Sequence, residues 1–261
     1  MSLKAKLAAR QLLLDAGLTD ATELPLELLV YGRGATFIEK PLTNCDGRII
    51  FGKTKSIITV NSQIPYEGKR RFTIAHELGH HELHRHLKVI HHDTDATLEY
   101  FKEGIQEAEA NAFASELLMP EDLFRKEVRG KKFSPLLLRD VAARFKTSIT
   151  SVAYKYLELG DHPICLFYSY NNQVKYWMRP ENYPHFIIDR TRLAPPDDSV
   201  AGEFFTKGEI YTKEFSKQQI WKSTWFELKH WERDQDFRFY EYCIITPAFN
   251  TVLSIVWEEL R

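Results

Sequence analysis

Seven of the ten histidines in this 261-residue chain fall between positions 76 and 92, in the run RRFTIAHELGHHELHRHLKVIHH. Inside that run, His76-Glu77-Leu78-Gly79-His80 forms the pattern H-E-x-x-H. Residues four apart share one face of a helix, so His76 and His80 can turn both imidazoles toward a single metal ion. Glu77 then lies beside the ion rather than on it, where it can take the proton of a water that the metal has acidified. Phe72, Ile74, Ala75 and Leu78 predict that this helix is buried, and buried imidazoles need partners that a metal supplies. A chance match on a histidine-rich surface helix is the competing reading.

A third ligand has to come from elsewhere. His86 stands where an H-E-x-x-H-x-x-G-x-x-H pattern would place one, but Leu83 occupies the glycine position that lets the chain turn back. A continuing helix carries His86 about 9 Å past His80 and onto another face. His81, His84, His86, His91 and His92 are accordingly read as solvated. Downstream, GIQEAEANAFASELLMP (104–120) predicts a second helix, favoured by Ala108, Ala110, Ala112 and Ala114 and closed by Met119-Pro120. Glu107, Ala110, Asn111, Ala114 and Leu118 share one small-residue face that could press against the first helix. A carboxylate on that buried face needs a partner, which makes Glu107 the favoured third ligand and leaves Glu109 as the alternative. Glu109 and Glu116 lie on a different face and read as solvent-side charges. Asn111, one turn after Glu107, could hydrogen-bond a ligating imidazole and hold its orientation.

RRFTIAHELGHHELH followed by EAEANAFASELLMP resembles the ImmA/IrrE family of zinc metallo-endopeptidases. The similarity extends upstream through LPLELLVYGRGATFIEKPL and RIIFGKTKSIITVNS, and so covers about the first 125 residues. The resemblance implies a zincin-like fold in which His76, His80 and Glu107 ligate Zn2+ and Glu77 is the general base. It also implies a protein substrate, a helix-turn-helix transcriptional repressor, whose cleavage relieves repression of stress-response, prophage or mobile-element genes. Mn2+ or Fe2+ could take the same two-histidine, one-glutamate set. Just before the first helix, Ser56–Val60 predicts a strand. As an edge strand it could bind an extended substrate segment by β-addition.

Past Pro120, EDLFRKEVRGKKFSP reads as a solvated helix and linker punctuated by Gly130 and Pro135. Leu138, Val141, Ala142 and Phe145 mark a helix, and Ser148 is the N-cap expected for another carrying Val152, Tyr156 and Leu157. The pair resembles a helix-turn-helix unit, with Lys146 where a glycine often eases the turn. Thr150, Ser151, Tyr154 and Lys155 are its candidate DNA contacts. A single lysine is thin for phosphate attraction, so a packing role is preferred to DNA binding.

Beyond position 162, Pro163–Tyr170, Asn171-Asn172 and Gln173–Arg179 predict a hairpin, Glu241–Ile245 and Val252–Trp257 a strand pair, and Trp221–His230 a helix. All five tryptophans lie here and read as core filling ahead of a ligand pocket. Longer members of the resembled family carry a GAF-like third domain, and this segment is similar in length and mixed pattern.

The expected fold class is α+β. A zincin-like metallopeptidase domain spans 1–128, a helix-turn-helix-like helical unit 129–160, and a C-terminal α/β domain, GAF-like and sensory by resemblance, 161–261. Thirty-five Lys and Arg against 36 Asp and Glu exclude a uniformly basic nucleic-acid coat. Cys45, Cys165 and Cys243 stand far apart, which argues against a disulfide scaffold and a thiolate zinc site. The longest apolar stretch near the start, Leu12–Leu14, is too short for a signal core, so a cytoplasmic protein without a membrane partner is expected. The expected activity is zinc-dependent hydrolysis of a peptide bond in a protein. The alternative is a non-catalytic transcriptional regulator or partner-binding platform using the helix-turn-helix unit.

Overall fold

The computed structural model describes residues 2–43, 45–52, 55–86, 96–211 and 216–259, and His91 and His92 lie outside them. The chain forms two compact units: Met1–Glu127 with Val141–Ser148, and Val128–Asp140 with Ile149–Arg261. Among the described residues no helix is long and apolar enough to cross a membrane.

The first unit opens with helices α1 (Leu3–Asp15) and α2 (Leu26–Gly32), followed by strands β1 (Thr36–Lys40), β2 (Gly47–Phe51) and β3 (Ser56–Asn61). Helices α3 (Glu67–His84), α4 (Ala96–Leu118) and α5 (Glu121–Val128) follow. The β-branched run Ile57-Ile58-Thr59-Val60 suits a strand with neighbours on both sides. The sheet order is β1-β3-β2, with β1 parallel and β2 antiparallel to β3. This corrects the edge-strand expectation for Ser56–Val60. Both hydrogen-bonding sides of β3 are occupied, so β-addition there has no free backbone to use. The edges are β1 and β2, each paired on one side only among the described residues.

Helix α3 is buried on two faces. Ile74, Ala75 and Leu78 are wholly inaccessible, as are Ala110, Phe113, Ala114 and Leu117 of α4. The two helices approach closely at Gly79, where an added Cβ would lie 3.1 Å from Phe113 Cδ1 and 3.2 Å from the Ala110 Cα. A branched side chain cannot enter that gap without parting the helices. Gly79→Val is therefore expected to lower stability by about 1–3 kcal/mol, read as a lower denaturant midpoint at unchanged slope. An unchanged midpoint would mean that α3 and α4 can separate freely.

Glu116 is not a solvent-side charge as expected. It is 0% exposed, accepts from Arg10 Nε at 2.8 Å, and accepts from the Glu121 amide at 3.1 Å. Packing of α1 against α4 closes over that face, and the guanidinium and the amide that starts α5 supply the hydrogen bonds the buried carboxylate needs.

The second unit contains α7 (Ile149–Leu159), strands β4 (Ile164–Tyr170) and β5 (Gln173–Met178), α8 (Val200–Lys207), β6 (Gln218–Ile220), β7 (Phe239–Thr246) and β8 (Thr251–Glu258). The preceding helix, α6 (Pro135–Phe145), ends at a turn where Lys146 takes φ +50°, the left-handed region a glycine would have eased. The strands form one antiparallel sheet in the order β5-β4-β8-β7-β6. The β4–β5 hairpin turns on Asn171 and Asn172, both at positive φ, as a two-residue primed turn demands.

With α8 as the sole helix of eight or more residues described after β5, this part is an antiparallel-sheet domain, which narrows the α/β expectation. Trp221–His230 does not form the expected helix. Only Lys222–Thr224 make a single 3-10 turn, because Asp234 captures the Ser223 amide and hydroxyl and Asp198 takes the Thr224 hydroxyl. Side chains that satisfy the backbone locally compete with helical hydrogen bonds. Trp225 and Trp257 are in the core, whereas Trp221 and Trp231 are exposed.

Candidate metal centre

The 3.6-residue repeat of α3 places His76, His80 and His84 one above another on a single face. Helix α4 brings Glu107 and Asn111, also one turn apart, against that face. Glu107 Oε2 lies 3.1 Å from His76 Nε2, Glu107 Oε1 lies 3.1 Å from His80 Nε2, and the two Nε2 atoms are 3.1 Å apart. These three side chains form a group able to hold a metal ion. At metal–ligand distances of about 2.0–2.1 Å a tetrahedral site has ligand–ligand edges of about 3.3–3.4 Å, close to the spacing seen here.

The outer nitrogens of the rings are also engaged. His76 Nδ1 donates to Asn111 Oδ1 at 3.0 Å, which leaves Nε2 of the neutral ring as a lone-pair donor facing Glu107. His80 is held well below its ordinary pKa, first by burial and then by the neighbouring His76, so its neutral, ligating form dominates at pH 7. Two nitrogen lone pairs and a carboxylate converging on one point repel unless a cation sits between them. The residues present therefore fit a divalent metal with nitrogen and oxygen preferences.

Glu77 is 7% exposed and lines the same cleft of about 350 Å3 as Gly47, Arg48, Ile49, His76, His80 and Glu107. Burial, and then the charge of Glu107, push its carboxyl up to about 7. A carboxyl in that range can both accept and return a proton near neutrality. Gly47, the first residue of β2, makes the close approach possible. A Cβ there would stand 2.9 Å from Glu77 Oε1 and 2.5 Å from Thr73 Cγ2.

Glu107 is not on a buried face as expected. Its side chain is 57% exposed, because residue 107 lies a turn before the tight contact at Ala110 and stands at the rim of the cleft. His86 is exposed, but His81 and His84 are 2% and 4% exposed, which corrects their solvated reading. His81 donates Nε2–H to the Arg33 carbonyl at 3.1 Å, and His84 lies between His80 and Glu109. Glu109 is also engaged, accepting from Ser2 Oγ and facing His84. The H-x-x-x-H-x-x-x-H spacing was present in the sequence as a signal for His84. Nothing local marked Gly47 or Arg48, which reach the cleft from a strand some 30 residues upstream.

The fold and this cluster define a mixed α+β protein with a His-His-Glu group on two packed helices. Residues 32–156 match the Peptidase_M78 family, described as an IrrE N-terminal-like domain. The chain is similar in fold to a solved Mycobacterium tuberculosis transcriptional regulator. The TM-score is 0.63 at 14% identity, over 98% of this chain and 88% of that one. No curated protein matches the chain.

Proposed function

We propose that the first unit is a zinc-dependent endopeptidase. The observation that carries this reading is the convergence of His76 Nε2, His80 Nε2 and a Glu107 carboxylate within 3.1 Å of one another beside the buried Glu77. When bound, the metal would polarise the scissile carbonyl and acidify a water. Glu77 takes the proton of the attacking water and returns it to the leaving amine. Asn111 holds the His76 ring through Nδ1. Arg48, lining the cleft, offers a guanidinium to the developing oxyanion. An extended substrate segment pairs with the open side of β2, whose first three residues line the cleft. Such a segment must be locally unfolded. The resemblance to the ImmA/IrrE family makes a helix-turn-helix repressor the substrate and relief of repression the outcome.

The test is metal content together with cleavage. Elemental analysis of the purified protein is expected to find about one zinc per chain, the count one such site takes. Removal by chelator is expected to abolish cleavage of a helix-turn-helix repressor, with restoration by zinc. Protein that binds no metal even after zinc is added would sink this reading.

The likeness in fold to a solved transcriptional regulator favours a second reading, a non-catalytic regulator that contacts DNA through α7. Against it, Lys155, the lone cation of α7, is 1% exposed, and the Tyr154 hydroxyl is bonded to Tyr176 at 2.6 Å. Phosphate attraction needs cations at the surface. Salt-sensitive binding to a specific duplex with no peptidase activity would establish this reading instead.

A further inference from the structure

Helix α3 carries a third histidine in register with the two at the metal centre, and the proposed chemistry leaves it unused. His84 is buried, with Nδ1 3.0 Å from His80 Nδ1 and Nε2 3.1 Å from Glu109 Oε2. Ser2 Oγ holds the other oxygen of Glu109 at 3.2 Å. The order of protons along this chain follows from what each atom can do. A carboxylate only accepts, so the proton in the 3.1 Å gap belongs to His84 Nε2. With the one ring proton of His84 on Nε2, its Nδ1 is a lone pair, and the hydrogen in the 3.0 Å gap belongs to His80 Nδ1. His80 Nε2 is left with its lone pair directed at Glu107 and His76.

We propose that Glu109 and His84 form a relay that sets the tautomer of His80 and readies its Nε2 as a metal ligand. The proposal rests on the metal-centre reading above. A histidine with no such partner spreads its proton over both ring nitrogens, and only one form can ligate through Nε2. The relay removes that ambiguity. By drawing on the Nδ1 proton, the carboxylate at its far end also strengthens Nε2 as a donor. The two ligands are therefore supported unequally: His76 by the neutral amide of Asn111, His80 by a chain that ends in a charge. Glu107 and Glu109, two residues apart on α4, divide the work, one at the metal and the other behind a ligand. His84 and Glu109 are positioning residues, since neither touches the centre itself.

The test compares wild type with His84→Leu, His84→Asn, Glu109→Leu and His80→Ala. Two quantities are measured: the zinc dissociation constant, by competition with a chromophoric chelator, and the His80 tautomer, by long-range proton–nitrogen correlation spectra of metal-free protein. His84→Leu is expected to weaken zinc by about 10–100-fold and to leave His80 as a mixture of tautomers. His84→Asn puts an amide oxygen where Nδ1 was, and is expected to restore both the Nδ1–H tautomer and most of the affinity. A merely structural role for His84 would not produce that rescue of the tautomer. If His84→Leu fails to fold, Glu109→Leu, changed nearer to solvent, carries the comparison and is expected to lose affinity to a smaller extent. Loss of zinc in His80→Ala alongside wild-type affinity and a single Nδ1–H tautomer in His84→Leu would overturn the relay and leave the metal centre standing. Wild type that binds no zinc would overturn the metal centre, and the tautomer spectra would still decide the relay.

Discussion

Glu77→Gln is expected to leave zinc bound as in wild type and to lower peptide hydrolysis by about 10^2–10^4-fold. The amide matches the carboxylate in size, so the close contact with Gly47 is kept and α3 is not disturbed. What is lost is the ability to accept a proton, which the buried carboxyl beside His76 and His80 provides. Metal content by elemental analysis and cleavage of a fixed amount of repressor, followed on gels, read the two effects separately. Wild-type turnover in the variant would remove Glu77 from the mechanism. Loss of metal would mean that the residue holds the site together rather than acting in it.

Glu107→Ala is expected to have the other large effect, on the metal itself. Removing a partner that only orients a ligand costs about 10–100-fold in affinity, and removing a ligand should exceed that range. The folded state should be little affected, because the side chain is 57% exposed and its removal opens no cavity. Zinc titration of the variant against wild type, with thermal unfolding of both metal-free proteins, is the measurement. Undiminished zinc affinity would take Glu107 out of the ligand set and return Glu109 to it. That result would also break the relay, since one carboxylate cannot both ligate and stand behind His84.

Local signals were the legible part of this chain. The four-residue spacing of His76 and His80 predicts their common face on α3, because helical geometry depends on sequence separation alone. The small-residue face of the second helix points to a close helix–helix contact, realised at Gly79 and Ala110. Asn171-Asn172 marks its hairpin because few other residue pairs take positive φ twice.

Failures came where a residue's surroundings are set by distant chain. Glu116 reads as a surface charge until α1 supplies Arg10 from 106 positions away. His84 reads as solvated until Glu109, held in turn by Ser2, comes against it. Ser56–Val60 is recognisable as a strand, yet pairing on both sides, and so its central place, depends on β1 folding back parallel to it. Trp221–His230 reads as helical because the aspartates that compete with its helix, Asp234 at the Ser223 amide and Asp198 at the Thr224 hydroxyl, lie outside the segment.

By itself, then, the sequence determined that two imidazoles share a helical face with a carboxylate beside them, and that a second helix offers glutamates at 107 and 109. Only the tertiary structure decided which glutamate stands at the rim of the cleft and which behind His84, and that β2 walls the cleft. The reason is physical. Backbone geometry assigns a side chain to a face of its own helix, but the packing of α4 and α1 against α3 decides what that face meets.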